Sequence, residues 1–288
     1  MYAGEAGTLE YKTYIPSCYD GQALPLIIML HGCKQNPDDF AAATRMNELA
    51  EAEGFVVVYP SQTGKANVSR CWNWFQSQHQ HRDRGEPSLI AGITRTVLHD
   101  YDLDATRVYV AGLSAGGAMA AIMGTTYADL YCAVGIHSGL AYAAARDVPS
   151  AFAAMRGEKS KKTKVKASRQ RIARVIPTIV FHGDSDTTVH PSNGDQVVAE
   201  ASSASSGDHF APRVQSGDTT VESGVAGGRT YTRTTYRDAE RKALTEHWLV
   251  HGAGHAWSGG STEGSYSDPA GPDASREMLR FFLQHARG

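Results

Sequence analysis

Short unbroken apolar runs recur along this chain, with helically spaced apolar positions between them. Leu24-Pro-Leu-Ile-Ile-Met-Leu30, Phe55-Val-Val-Val-Tyr59, Val108 to Ala111, Leu130 to Ile136 and Thr178-Ile-Val-Phe-His182 read as strands. They lack the alternation that one wet face would impose, so both faces should be buried. Residues 8–15 do alternate, and Pro16 to Gly21 reads as a turn. Phe40, Met46, Leu49 and Ala50 share one face of a helix that Asp38 or Asp39 would cap and Gly54 would close. Leu89, Ile90, Ile93, Val97 and Leu98 define a second helix, beginning at Pro87. Ser202 to Gly228 is rich in Ser and Gly and reads as loop. Thr230 to Tyr236 and Leu244 to Val250 are the last strand candidates, and a helix from Arg276 to His285 closes the chain. Strands alternating with helices predict an α/β fold, with a mostly parallel central sheet covered by helices on both faces. No internal repeat is visible, and one catalytic domain over residues 1–288 is expected.

Composition narrows the partners. The 28 basic and 30 acidic side chains leave a formal charge of −2, so no global field recruits nucleic acid or an anionic membrane. No apolar run approaches the ~20 residues that a membrane span requires. The first residues, Met1-Tyr-Ala-Gly-Glu-Ala-Gly, lack the basic-then-apolar pattern of a signal peptide. Two compartments stay open: intracellular, or extracellular or periplasmic if the chain is a mature form restarted at a new methionine. From Lys159 to Arg174 the chain turns basic, which reads as a solvated excursion rather than an anion-binding patch. Among the four cysteines (Cys18, Cys33, Cys71, Cys132) none forms a C-x-x-C pair, so no metal spacing is present. Cys33 and Cys71 each lie beside a motif, and either a disulfide between them or two buried thiols would fit. Cys132 sits in an apolar strand and reads as core.

The chemistry gathers where strands end. Val108 to Ala111 runs into Gly112-Leu-Ser114-Ala-Gly116-Gly117, followed by small residues that can start a helix at once. This is the pattern of a nucleophile elbow, in which Gly112 and Gly116 leave room for a sharp turn with Ser114 at its apex. A serine hydroxyl attacks only if a base removes its proton, and an acid must hold that base in one tautomer. Ser114, Asp186 and His255 supply nucleophile, acid and base in the chain order of α/β-hydrolases, each just past a strand. Asp184 competes with Asp186; the His-Gly-x-x-Asp form usual in these hydrolases favours Asp186 and leaves Asp184 as a turn former. His251 rivals His255 but reads as a strand-end histidine satisfied by backbone, and His31 and His182 as loop-orienting residues. The developing oxyanion needs two donors: the Ala115 N–H after the nucleophile, and the Cys33 N–H in His31-Gly32-Cys33, where lipases carry a His-Gly-Gly segment.

Leu30-His-Gly-Cys-Lys-Gln35, Arg70-Cys-Trp-Asn-Trp-Phe75, Gly112-Leu-Ser-Ala-Gly-Gly117 and Gly254-His-Ala-Trp-Ser-Gly-Gly260 together resemble the poly(3-hydroxybutyrate) depolymerase family of esterases. That family is similar in turn to feruloyl and acetylxylan esterases. The likeness runs from about Leu9 to Phe282. It implies an α/β-hydrolase fold, a serine hydrolase using the residues just assigned, no metal and no cofactor, and a polyester or small ester as substrate. Many secreted depolymerases it resembles carry a linker and a polymer-binding module, which this chain does not show. Trp72, Trp74 and Trp257 lie beside these motifs and are expected to line an acyl or alcohol pocket, with Asn73 or Ser138 as a polar contact.

Overall fold

A computed structural model describes residues 1–158, 176–203 and 218–287. The basic stretch from Lys159 to Arg174 lies outside the described residues, as does most of the first half of the Ser/Gly-rich loop.

Ten strands form one sheet: β1 (Tyr2–Gly4), β2 (Gly7–Tyr14), β3 (Leu26–Leu30), β4 (Val56–Ser61), β5 (Val108–Leu113), β6 (Ala133–His137), β7 (Thr178–Gly183), β8 (Thr219–Ala226), β9 (Arg229–Arg237) and β10 (Ala243–Val250). Their order is β1-β2-β4-β3-β5-β6-β7-β10-β9-β8. The strands from β4 to β10 in that order pair in parallel, and the outer ones antiparallel. The parallel centre is where the unbroken apolar runs fall. Along β3, Leu26, Ile28 and Leu30 enter one hydrophobic core, and Ile27 and Met29 enter the other across the sheet. Helices α3 (Gly85–Asp100), α4 (Ala115–Thr126), α5 (Val148–Met155) and α6 (Ser192–Ser203) accompany the first core; α1 (Pro37–Thr44), α2 (Met46–Glu53) and α7 (Ala274–Phe282) accompany the second.

Three local expectations are corrected. The helix expected as one piece to Gly54 is two, because Arg45 takes the left-handed conformation (φ 54°) and its N–H closes the first on Ala41 O. The cap is Asn36, whose side chain accepts the N–H groups of Asp38 and Asp39; those two carboxylates occupy the first turn instead. Residues 219–226, expected as loop, form edge strand β8, since an outer strand has no second face to bury and carries no apolar run. No helix of the described residues is long and apolar enough to cross a membrane.

Candidate active site

The carboxyl ends of the central strands collect every side chain singled out for chemistry. At the end of β5 the chain turns at Ser114, with φ 58° and ψ −119°, and passes directly into α4. A non-glycine residue held there is strained by roughly 1–3 kcal/mol, and the surrounding packing has to impose it. The packing is visible at the glycines. A Cβ on Gly116 would lie 2.0 Å from Leu30 O, and one on Gly112 would lie 2.4 Å from the Gly116 carbonyl. Ser114 N–H donates to His137 O at 2.9 Å, pinning the apex to the end of β6.

The loop after β3 folds against this apex: a Cβ on Gly32 would stand 3.7 Å from Ser114 Cβ. Its N–H groups are largely used, Gly32 donating to Gln35 Oε1, Lys34 to Ser69 O and Gln35 to Gly32 O. The Cys33 N–H makes no hydrogen bond among the described residues. The Ala115 N–H opens α4 and has no intrahelical acceptor. Cys33 and Cys71 are joined by a disulfide with a Cα–Cα distance of 4.2 Å, while Cys18 and Cys132 are free and Cys132 is buried. His31 is fixed from both nitrogens: Nδ1–H donates to Gly32 O at 2.8 Å, and Nε2 accepts the Gln62 N–H at 3.1 Å. Burial holds its pKa down to about 4, so the ring stays neutral.

Past the ends of β7 and β10 lies an Asp–His pair. His255 Nδ1–H donates to Asp186 Oδ2 at 2.7 Å, with the carboxylate fully enclosed and the imidazole side chain 10% exposed. The second oxygen, Oδ1, accepts the Thr188 and Val189 N–H groups at 2.9 and 2.8 Å. His182 Nε2 stands 3.5 Å from Oδ2 and 2.8 Å from Val189 O, so its proton leans to the carbonyl. Burial alone would raise the Asp186 pKa, but the nearby His182 ring, the His255 hydrogen bond and the Val189 N–H outweigh it and hold the carboxyl far below its usual range. His137 lies beneath, stacked on Trp257 and Phe181, with Nε2 accepting the Ser258 N–H at 3.0 Å. Burial, then the charges of His182 and His255, bring its pKa down to about 3.

Asp184 and His251 do more than expected. His251 Nδ1–H donates to Asp184 Oδ2 at 2.9 Å, and its Nε2 meets Thr232 Oγ1 at 3.0 Å, so it is satisfied by side chains rather than backbone. Asp184 Oδ1 also accepts the Gly252 N–H at 2.7 Å.

The tryptophans are corrected. Trp257 is fully buried, donating from Nε1 to Ser275 Oγ at 3.0 Å with its ring edge-on to Phe40. Trp72 is fully buried and donates to His31 O at 3.1 Å. Trp74 is buried against Phe75. All three turn into the core, because each motif loop is anchored by driving its largest apolar side chain inward. Asn73 and Ser138 are buried as well. The aromatic that does stand beside His255 is Tyr266, edge-on with ring centroids 6.4 Å apart, 42% exposed and at φ 52°. Its only signal in the sequence is an aromatic in a Gly/Ser stretch. Ser265 next to it is tied to the loop after β3 and to the start of α1, accepting at its carbonyl from Gln35 Nε2 and donating from N and Oγ to Asp39.

Comparison with known proteins fits this geometry. The chain is 31% identical over 258 residues to poly(3-hydroxyalkanoate) depolymerase C of Paucimonas lemoignei, covering 86% of this chain and 58% of that protein. It is 32% identical over 136 residues to feruloyl esterase B of Neurospora crassa, covering 47% of this chain and 45% of that one. The chain thus spans about half the length of these relatives. An acetyl xylan esterase from Aspergillus awamori shares the α/β-hydrolase fold, with a TM-score of 0.71 at 17% identity, covering 96% of this chain and 94% of that one. The family described as esterase PHB depolymerase matches residues 9–208, and the chain belongs to that family.

Proposed function

We propose that this protein is a serine carboxylic-ester hydrolase acting through an acyl-enzyme, on poly(3-hydroxybutyrate) and other hydroxyalkanoate oligomers or on short-chain acyl esters. The observation that carries the reading is the buried 2.7 Å Asp186–His255 pair at the sheet edge where the strained Ser114 turn stands. His255, held with its proton on Nδ1, leaves Nε2 free to take the Ser114 proton as Oγ attacks the ester carbonyl. Asp186 stabilises the imidazolium that forms. The Cys33 and Ala115 N–H groups receive the oxyanion, each worth roughly 3 kcal/mol of barrier by analogy with other oxyanion holes. His255 then returns the proton to the departing alcohol. Water, activated the same way, frees the acyl group. No step calls for a metal or cofactor.

The depolymerase relative supports the hydroxyalkanoate substrate, and the exposed aromatic face of Tyr266 beside His255 suits an alkyl acyl chain. The same exposed ring would also stack on a ferulate, so a feruloyl or acetylxylan esterase is the second reading. Purified wild type should hydrolyse p-nitrophenyl acyl esters, and folded Ser114→Ala should lose that turnover by at least about 10³-fold. Retained turnover in the variant would refute the assignment. Release of 3-hydroxybutyrate from oligomers against release of ferulate separates the two substrates.

A further inference from the structure

Behind the Cys33 loop lies a buried carboxylate that none of the proposed steps uses. Glu86 sits in the first turn of α3 and is 5% exposed. Enclosing a charge there is costly unless donors surround it, and three do. Asn73 N–H donates to Oε2 at 2.8 Å; Asn73 Nδ2 and Gln62 Nε2 each donate to Oε1 at 2.6 Å. The N-terminal end of α3 adds a favourable dipole. His79 faces the same carboxylate, its Nδ1 lying 4.0 Å from Oε2 and accepting the Glu86 N–H at 2.9 Å.

The two residues held by Glu86 bracket a segment of irregular backbone, 62–73, that touches the Cys33 loop at four points. The Gln62 N–H donates to His31 Nε2, Trp72 Nε1–H donates to His31 O, and the Lys34 N–H donates to Ser69 O. The fourth point is the Cys33–Cys71 disulfide, and Cys71 O in turn accepts from Gln62 Nε2 at 3.2 Å. Irregular backbone has no ladder to fix its position, so the acceptors that order it matter more than in a strand. Glu86 is the ionic centre of that order.

We propose that Glu86 is a positioning residue for the oxyanion site. Its carboxylate gathers Gln62 and Asn73, which set the 62–73 segment, which in turn aims the Cys33 N–H at the reacting carbonyl. The proposal rests on the serine-esterase reading above. Glu86→Gln tests it with little change of shape. The amide replaces one acceptor oxygen with an NH₂ group, so a donor must face a donor at Asn73 or at Gln62.

With active sites titrated by a fluorophosphonate, so that unfolded or inert protein is not counted, kcat should fall about 10- to 100-fold with KM within about twofold. An oxyanion donor acts on the transition state and not on the ground state. The inhibition constant of a trifluoromethyl ketone, whose adduct carries the oxyanion, should rise by the same factor as kcat/KM falls. Gln62→Leu removes the side-chain ties to Glu86, Cys71 O and the Thr63 N–H but keeps both Asn73 bonds to Glu86 and the Gln62 backbone contact to His31; it should show the same pattern at a smaller amplitude, and serves if Glu86→Gln does not fold. Wild-type kcat and ketone affinity in both folded variants would overturn the proposal, as would a loss confined to the titratable fraction. Absence of ester hydrolysis in the wild type would instead bring down the esterase reading itself.

Discussion

Two Asp–His pairs bridge the same two loops, and they differ in almost everything except their hydrogen bond. Asp186 and His255 meet at 2.7 Å, Asp184 and His251 at 2.9 Å. Asp184 and Asp186 sit two residues apart after β7, and His251 and His255 four apart after β10. The inner pair has a fully enclosed carboxylate and a nearly enclosed ring, whereas the outer pair is over a third exposed on each side. In the inner pair Asp186 meets two further N–H donors and His182, and His255 Nε2 makes no hydrogen bond among the described residues. In the outer pair the His251 Nε2 is already engaged by Thr232. In the proposed reading the same contact serves as an acid–base device in one place and as a loop brace in the other. Water exclusion and one free ring nitrogen make the difference.

Removing the acid from each pair should separate them most sharply. Asp186→Asn is expected to cost about 10³- to 10⁴-fold in kcat, because the amide favours the wrong imidazole tautomer. Asp184→Asn should change kcat by less than tenfold. Steady-state hydrolysis of a p-nitrophenyl ester by the two variants checks this, and equal losses would erase the distinction.

Acidification should expose the buried side next. Asp186 has a folded pKa below its unfolded value, so its contribution is full at neutral pH and is lost as pH falls below the unfolded carboxylate range toward the folded pKa. His31 and His137 are bases depressed to about 4 and about 3. The unfolded chain takes up protons at these rings near pH ~6.5 while the folded one does not, so stability declines from there downward, by a few kcal/mol per ring at the limit. Unfolding midpoints measured from pH 7 to pH 4 should drop steadily, and a flat profile would contradict the neutral, enclosed rings.

The smallest effect belongs to the outer brace. Asp184→Ala removes a pair screened by water and should lower stability by about 1 kcal/mol or less. Its chemical denaturation midpoint should move far less than that of Asp186→Ala, which leaves His255 and two loop N–H groups without their acceptor.

Much of this was legible along the chain. The parallel strands announced themselves as unbroken apolar runs because both faces are covered. The edge strand β8 did not, since an element with one dry face or none has no such run. The elbow at Ser114 was legible from Gly112 and Gly116, whose missing side chains are required by atoms within 2.0–2.4 Å. The tryptophans misled because nearness in sequence to a motif says nothing of side-chain direction: Trp257 follows His255 by two residues yet points into the core, and Tyr266, eleven residues past His255, stands exposed beside its ring. Asp184 and His251 were visible as residues but not as partners, because neither loop pattern states which of two neighbouring acids faces which of two histidines.

The order of elements, the parallel centre of the sheet, the sharp turn at Ser114 and the family were determined by the sequence itself, because backbone sterics and apolar periodicity act over a few residues at a time. Tertiary structure alone decided which histidine met which aspartate, that the Cys33 and Cys71 sulfurs joined, and that Glu86 lies under the Cys33 loop. Those outcomes depend on distances between segments tens of residues apart and on how completely water is excluded between them, quantities that no local pattern encodes.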